Sequence, residues 1–318
     1  MADLRTMIGS LTLKNPIMPA SGTFSEELAE VFDLDCLGAH VTKTITRGKR
    51  SGNPVPRVCE VNGAMLNSIG IPSKGAPWFL QNTLPFYRDY EAPLVISISA
   101  NTADEFARFA EEVSVPGVAA IEVNISCPNI EDDGKAFAMK PGATGDVVRR
   151  MRSATHLPLW AKLSPNTGEV VEVALAAEEA GADALVTANT MLAMAIDSRT
   201  GRARLGNIMG GLSGPALKPI TLRMTYQCAR AVSIPVIGCG GISTVDDVIE
   251  YLVAGAHAVQ VGTATFISPS TMPRLVRELD EALDSRGLPS VDALIGTVDV
   301  TNEAVAVAEM RDGCHAAR

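Results

Sequence analysis

The chain has 318 residues, carries a net charge of −9, and is 47% hydrophobic but only 4% aromatic. That acidic balance excludes a general nucleic-acid surface, which needs a basic stripe to neutralise phosphates. No apolar run approaches the ~20 residues needed to span a bilayer, and the first ten residues, with Asp3 and Arg5, do not read as a secretory signal, so a cytoplasmic protein without a membrane segment is expected.

Short apolar, β-branched runs alternate with amphipathic helical patterns, the signature of βα units and a parallel sheet. In chain order the runs are residues 16–20, 38–43, 94–98, 120–125, 159–163, 184–188, 236–238 and 258–261. Most are apolar without alternation, as strands buried on both faces require. Helical patterns fall at 103–112, 168–180, 215–231 and 245–254, and Gly181 and Gly255 stand where C-caps belong. Eight strands with intervening helices predict an α/β fold, the TIM (β/α)8 barrel, as one domain over residues 1–296. A doubly wound sheet is the alternative, but no strand opening into a glycine-rich turn is present. Residues 297–318 read as a peripheral C-terminal extension. Two segments are too long for simple loops: residues 44–92 and 189–235. They are expected to be inserted at the C-terminal face as a lid and a partner surface.

In a barrel the chemistry gathers where strands end. Ser21 and Gly22 follow the first run, Lys43 and Thr44 end the second, and Asn124 leads from the fourth to Cys127. Lys162 ends the fifth, Asn189 and Thr190 follow the sixth, Gly240 and Gly241 the seventh, and Gly262 and Thr263 the eighth. Glycines after the last two strands let backbone N–H groups approach a phosphate, although a Gly-Gly pair can also be a tight turn. Lys43 and Lys162 at the ends of buried strands need either an anionic ligand or a core carboxylate, because an unpaired buried ammonium is costly. Asn67, Asn124 and Asn189 offer paired donors and acceptors that suit a ring with alternating C=O and N–H groups. The six cysteines include no C-x-x-C pair, so neither zinc nor an iron–sulfur cluster is expected within the chain, and the four histidines lack metal spacing. Adjacent carboxylates such as Asp246-Asp247 read as solvated helix faces.

At Asn-Ile-Ser-Cys-Pro-Asn (124–129) the sequence resembles the class 1 dihydroorotate dehydrogenases. Ala-Ser-Gly-Thr-Phe (20–24), Asn-Ser-Ile-Gly-Ile (67–71), Lys-Leu-Ser-Pro-Asn (162–166), Gly-Gly-Leu-Ser-Gly-Pro-Ala (210–216), Gly-Cys-Gly-Gly-Ile (238–242) and Gln-Val-Gly-Thr-Ala (260–264) extend the likeness in the family's order. The resemblance implies an FMN-containing barrel that oxidises (S)-dihydroorotate to orotate in pyrimidine synthesis. It implies hydride transfer to flavin N5 and proton transfer to Cys127. Ser21, Lys43, Thr44, Asn124, Lys162, Ala188, Gly214, Gly240, Gly241, Gly262 and Thr263 match FMN-contacting positions. Lys43, Asn67, Ser68, Ile69, Gly70, Ile71, Asn124, Asn189 and Thr190 match positions contacting orotate.

The wording is closest to subclass 1B. That implies a homodimer joined to an electron-transfer subunit, which carries FAD and an iron–sulfur cluster and accepts NAD. A fumarate-linked 1A-type enzyme, a dihydropyrimidine-reducing FMN barrel and a non-redox phosphate-binding barrel are the alternatives. One departure concerns the third strand, where the family's asparagine near the flavin is replaced by Ser97, with Asn101 nearby. Others are Ser68, where alanine is common, and an acidic loop after Cys127.

Overall fold

The computed structural model describes residues 2–126 and 136–300. A hairpin of β1 (Thr6–Ile8) and β2 (Leu11–Leu13) opens the chain. The barrel begins with β3 (Ile17–Pro19) and β4 (His40–Val41). A first excursion carries β5 (Val58–Val61) and β6 (Ala64–Asn67). The barrel resumes with β7 (Leu94–Ile98), β8 (Ala120–Asn124), β9 (Leu159–Lys162) and β10 (Ala184–Thr187). A second excursion carries β11 (Met191–Met194) and β12 (Met209–Ser213), and β13 (Val236–Cys239) and β14 (Ala256–Val261) finish the barrel.

The barrel strands run parallel in the order β3-β14-β13-β10-β9-β8-β7-β4. The seam between β3 and β4 is bridged by the Gly38 N–H, which donates to the Ile17 carbonyl at 2.9 Å. All eight predicted strands are present, and the fold is the expected (β/α)8 barrel. Predicted helices appear as Ala103–Val113, Val170–Glu179, Lys218–Ala231 and Val245–Val253. Two further helices, Pro141–Ala154 and Thr271–Ser285, lie on the same outer ring. Gly181 and Gly255 follow their helices with φ of +100° and +109°, as C-caps do.

Inside the barrel the side chains stack in layers. Val95, Ala120, Trp160, Ile237 and Ala258 belong to one buried apolar cluster, which Ile8 and Leu13 of the hairpin join. With few aromatics in the chain, one indole among alanines fills the space that several branched side chains would otherwise need. Two residues further along the same strands, on the same face, stand Ser97, Glu122, Lys162, Cys239 and Gln260. The barrel is therefore apolar below and polar above, where the strands end.

The two excursions, expected as separate elements, are joined. They join into one antiparallel sheet in the order β11-β12-β6-β5, with Gly211 opposite Asn67 and Asn67 opposite Val58. The exchange of backbone bonds between β6 and β12 is what ties the insertions together.

Asp247 also departs from expectation. It is only 7% exposed and closes a capping box with Thr244 at the start of Val245–Val253. Its carboxylate accepts from Lys218 Nζ at 2.6 Å and from the Ser243 and Thr244 amides at 2.8 Å. Burial alone would raise this carboxyl, but those donors outweigh it and hold it at about 2. At the other end of that helix, the Gly296 and Val298 amides donate to Leu252 and Val253 carbonyls. The rest of the predicted extension, 301–318, lies outside the described residues. No helix among them is long and apolar enough to cross a membrane.

Candidate active site

A cavity of about 620 Å³ opens at the C-terminal ends of the barrel strands, under the four-stranded sheet. That volume lies within the ~300–1,000 Å³ typical of small-molecule sites. Directly opposed residues share a face of a sheet. The face of the roof that carries Val58, Met65, Asn67 and Ser213 is turned to the cavity.

Nearly every residue expected at the site lines this one space. Ser21 comes from the end of β3, Lys43 and Thr44 from beyond β4, Asn124 from β8 and Lys162 from β9. Ala188, Asn189 and Thr190 follow β10, Gly240 and Gly241 follow β13, and Gly262 and Thr263 follow β14. From the roof come Asn67, Ile69, Gly70, Ile71 and Gly214. Ile71 holds a φ of 49°, sparsely populated for a β-branched residue and often found at ligand clamps.

Ser68 is not part of the lining. It is 7% exposed, its hydroxyl accepts from Asn53 Nδ2 at 2.8 Å, and its N–H donates to the Arg57 carbonyl. Strand alternation explains this, because Asn67 faces the cavity and its neighbour must face away. Ser97 is fully buried and Asn101 is exposed, and neither lines the cavity. Cys127 lies outside the described residues. Among the other thiols, burial pushes Cys36 up to about 11 and Cys228 up to about 12, and it also raises Cys239, which lines the cavity. None of these three is a thiolate at neutral pH.

The two strand-end lysines behave differently. Lys162 is 3% exposed, and its Nζ donates to Gln260 Oε1 at 2.7 Å and Ser21 Oγ at 3.2 Å, with Glu122 Oε2 at 3.5 Å. Glu122 is fully buried, and it also accepts from Gln260 Nε2 at 2.7 Å and Ser97 Oγ at 2.9 Å. Lys43 has no ion-pair or hydrogen-bond partner among the described residues, and burial lowers its pKa. A Cβ on Gly22, which has a φ of +92°, would stand 4.0 Å from the Lys43 Nζ, an ordinary contact.

From Glu122 the polar contacts continue to the cavity wall. Ser97 Oγ meets Thr44 Oγ1 at 2.9 Å, and Asn124 Nδ2 donates to Thr44 Oγ1 at 3.1 Å. Asn189 Nδ2 donates to Asn124 Oδ1 at 3.2 Å, and the Thr190 amide donates to Asn189 Oδ1 at 2.7 Å. Glu122 and Gln260 were not anticipated as site residues from the sequence, and Ser97 was noted only as a departure from the family's asparagine. Their signal was a polar residue interrupting an apolar strand run.

Opposite this wall lies a glycine cradle. A Cβ on Gly241, which has a φ of +70°, would stand 2.7 Å from Lys218 Cβ and 3.0 Å from the Gly214 carbonyl oxygen. Only glycine lets the turn after β13 pass so close to both. No three His, Cys, Asp or Glu side chains gather at metal distance among the described residues.

A parallel barrel with one deep cavity at its strand ends, a glycine cradle on one side and lysines and amides on the other, defines a small-molecule enzyme of the (β/α)8 class. The chain belongs to the dihydroorotate dehydrogenase family: the family model "Dihydroorotate dehydrogenase" matches residues 3–283. A relative from Trichlorobacter lovleyi, "Dihydroorotate dehydrogenase B (NAD(+)), catalytic subunit", is 47% identical over 295 residues, 92% of this chain and 97% of its own length. Relatives of the same name from Geobacter sulfurreducens and Geobacillus kaustophilus are 46% and 44% identical. They cover 94% and 93% of this chain and 99% and 96% of their own lengths. These names agree with the subclass 1B wording of the sequence.

Proposed function

We propose that this chain is the catalytic subunit of an NAD-linked dihydroorotate dehydrogenase, oxidising (S)-dihydroorotate to orotate in de novo pyrimidine (UMP) synthesis. The observation that carries the reading is Lys43, an ammonium set in the cavity wall with no anion beside it among the described residues. A substrate carboxylate supplies the missing partner, and Asn67, Asn124 and Asn189 surround it with amides that match a pyrimidine's alternating C=O and N–H edge. Ile69, Gly70, Ile71 and Thr190 complete the substrate side.

The other half of the cavity fits FMN. The cradle of Gly214, Gly240, Gly241, Gly262 and Thr263 suits a phosphate, because backbone amides can approach it with no side chain between. Ser21, Thr44, Asn124, Lys162 and Ala188 offer polar and backbone contacts for the ring. FMN, when bound, supplies the acceptor for the hydride leaving C6. Cys127 takes the proton from C5, a role supported by the resemblance of Asn-Ile-Ser-Cys-Pro-Asn (124–129) to the family's base-bearing loop. Electrons then pass to NAD through a partner subunit carrying FAD and an iron–sulfur cluster; the relatives' name, "catalytic subunit", supports such a partner.

The test is turnover of the FMN-loaded chain with an artificial acceptor. Dihydroorotate is expected to be oxidised and dihydrouracil not. Cys127→Ser is expected to lose roughly 10²–10⁴-fold in turnover near neutral pH while keeping its flavin. Wild-type turnover in that variant removes Cys127 as the base. NAD reduction by the isolated chain overturns the two-subunit reading, and a preference for dihydrouracil overturns the substrate.

A further inference from the structure

We propose that Glu122 and Ser97 are positioning residues that fix which way round the Asn124 carboxamide is presented to the ligand. Neither touches the cavity. They act through a chain of hydrogen bonds whose direction is forced at every link.

The direction starts at Lys162, which can only donate. Its partner on Gln260 is therefore Oε1, and Gln260 Nε2 must face Glu122. With the Lys162 ammonium and the Gln260 amide as donors, the Glu122 carboxylate is left only to accept. Ser97, at 2.9 Å, must give it its single hydroxyl hydrogen. Ser97 then has none left for Thr44, so Thr44 donates to Ser97. Thr44 in turn has none for Asn124, so Asn124 must show it Nδ2 and turn Oδ1 the other way. That oxygen accepts from Asn189 Nδ2. The far end agrees independently: the Thr190 N–H can only donate, which holds Asn189 Oδ1 and leaves its Nδ2 facing Asn124.

Both ends thus demand the same orientation. Each of the two amide nitrogens keeps one N–H for a ligand, and Asn124 Oδ1 keeps one lone pair. An amide free to flip would present the reverse pattern half the time and would select poorly between the edges of a planar ring.

The test releases the chain at its Glu122 end. In Glu122→Gln the new carboxamide must keep its oxygen toward Lys162 and Gln260 Nε2, so its NH₂ faces Ser97. Ser97 then accepts there and donates to Thr44, so the Thr44 hydrogen is no longer held by Ser97 and nothing at this end makes Asn124 show Nδ2. Ser97→Ala releases the same Thr44 hydrogen, so with alanine at 97 the Glu122 change has no further route to Asn124.

The inference rests on the dihydroorotate dehydrogenase reading and is read by titrating orotate into FMN-replete oxidised protein, following the flavin spectrum, with flavin content and melting temperature checked for each variant. Ser97→Ala and Glu122→Gln are each expected to weaken orotate about 3- to 10-fold. The double variant is expected to bind no more than about 2-fold more weakly than the weaker single variant, because both changes act through the one Thr44 hydrogen. A double variant whose loss is the product of the two single losses overturns the inference, since a purely local role of Glu122 in the Lys162 ion pair makes the losses add. A wild-type flavin spectrum that does not respond to orotate instead overturns the functional reading itself.

Discussion

Lys162 and Lys43 stand on the same rim, and their surroundings differ in kind. Lys162 belongs to the floor of the cavity, where Glu122, Gln260 and Ser21 occupy it before any ligand arrives. Lys43 belongs to the wall, where burial with no partner among the described residues leaves it a charge in search of an anion. The floor resolves its desolvation within the protein; the wall defers it to the ligand. The same residue type at equivalent strand ends thus serves architecture in one place and recognition in the other.

The largest expected effect comes from the floor. Lys162→Ala leaves the Glu122 carboxylate fully buried without its cation and is expected to cost about 3–5 kcal/mol of stability, measured by denaturant unfolding of the ligand-free protein. A loss below about 1 kcal/mol would erase the distinction between the two lysines.

Lys43→Met sharpens the contrast from the other side. Orotate affinity is expected to fall about 30-fold, while the ligand-free protein melts no lower than wild type. The pH dependence has a definite sign. Lys43 carries a pKa lowered by folding, so at neutral pH its charge destabilises the empty fold. That penalty is relieved as pH rises from the folded value toward the ordinary lysine value of 10.5. The melting difference between the variant and wild type should therefore shrink above neutrality, and a difference that widens there would contradict the unpaired state.

The smallest effect belongs to a third lysine, half-exposed Lys218, which packs against Gly241 and pairs with Asp247 and Glu250. Asp247→Asn keeps the cap but loses the charge, and a loss of about 1 kcal/mol at pH 7 is expected. Because the folded carboxyl sits at about 2, this contribution is complete above the ordinary carboxylate range and fades as pH falls through about 2. Melting curves of variant and wild type that stay equally far apart at the acid end would assign the loss to shape rather than charge.

The barrel was legible in the sequence because its strands are apolar on both faces and stand out as unbroken β-branched runs. The roof was not. Its four strands are short, β12 contains Gly210 and Gly211, and β6 finds its partner β12 only across a separation of 144 residues, as between Asn67 and Gly211. Local pattern carries no record of such a pairing. Lys43, Asn124 and the glycines could be read from their places after strand ends. Ser68 stands outside the lining because a motif matched in sequence does not register the alternation that turns its second residue away. Glu122 and Gln260 were visible as polar interruptions of the runs 120–125 and 258–261, but which charge they answered required the layer stacking inside the barrel. Cys127 rests on its motif.

The roof has a consequence for how the protein is made. As the chain leaves the ribosome, the β5–β6 hairpin is complete early, yet the edge of β6 that meets β12 has nothing to pair with until residues near 213 emerge. For the synthesis of most of the barrel it is an open strand edge, the kind of surface that recruits chaperones or seeds aggregates. Once β12 arrives, the ceiling over the ligand and the long-range closure of the chain form together. Transplanting either insertion into another barrel without the other would deliver an edge and no ceiling.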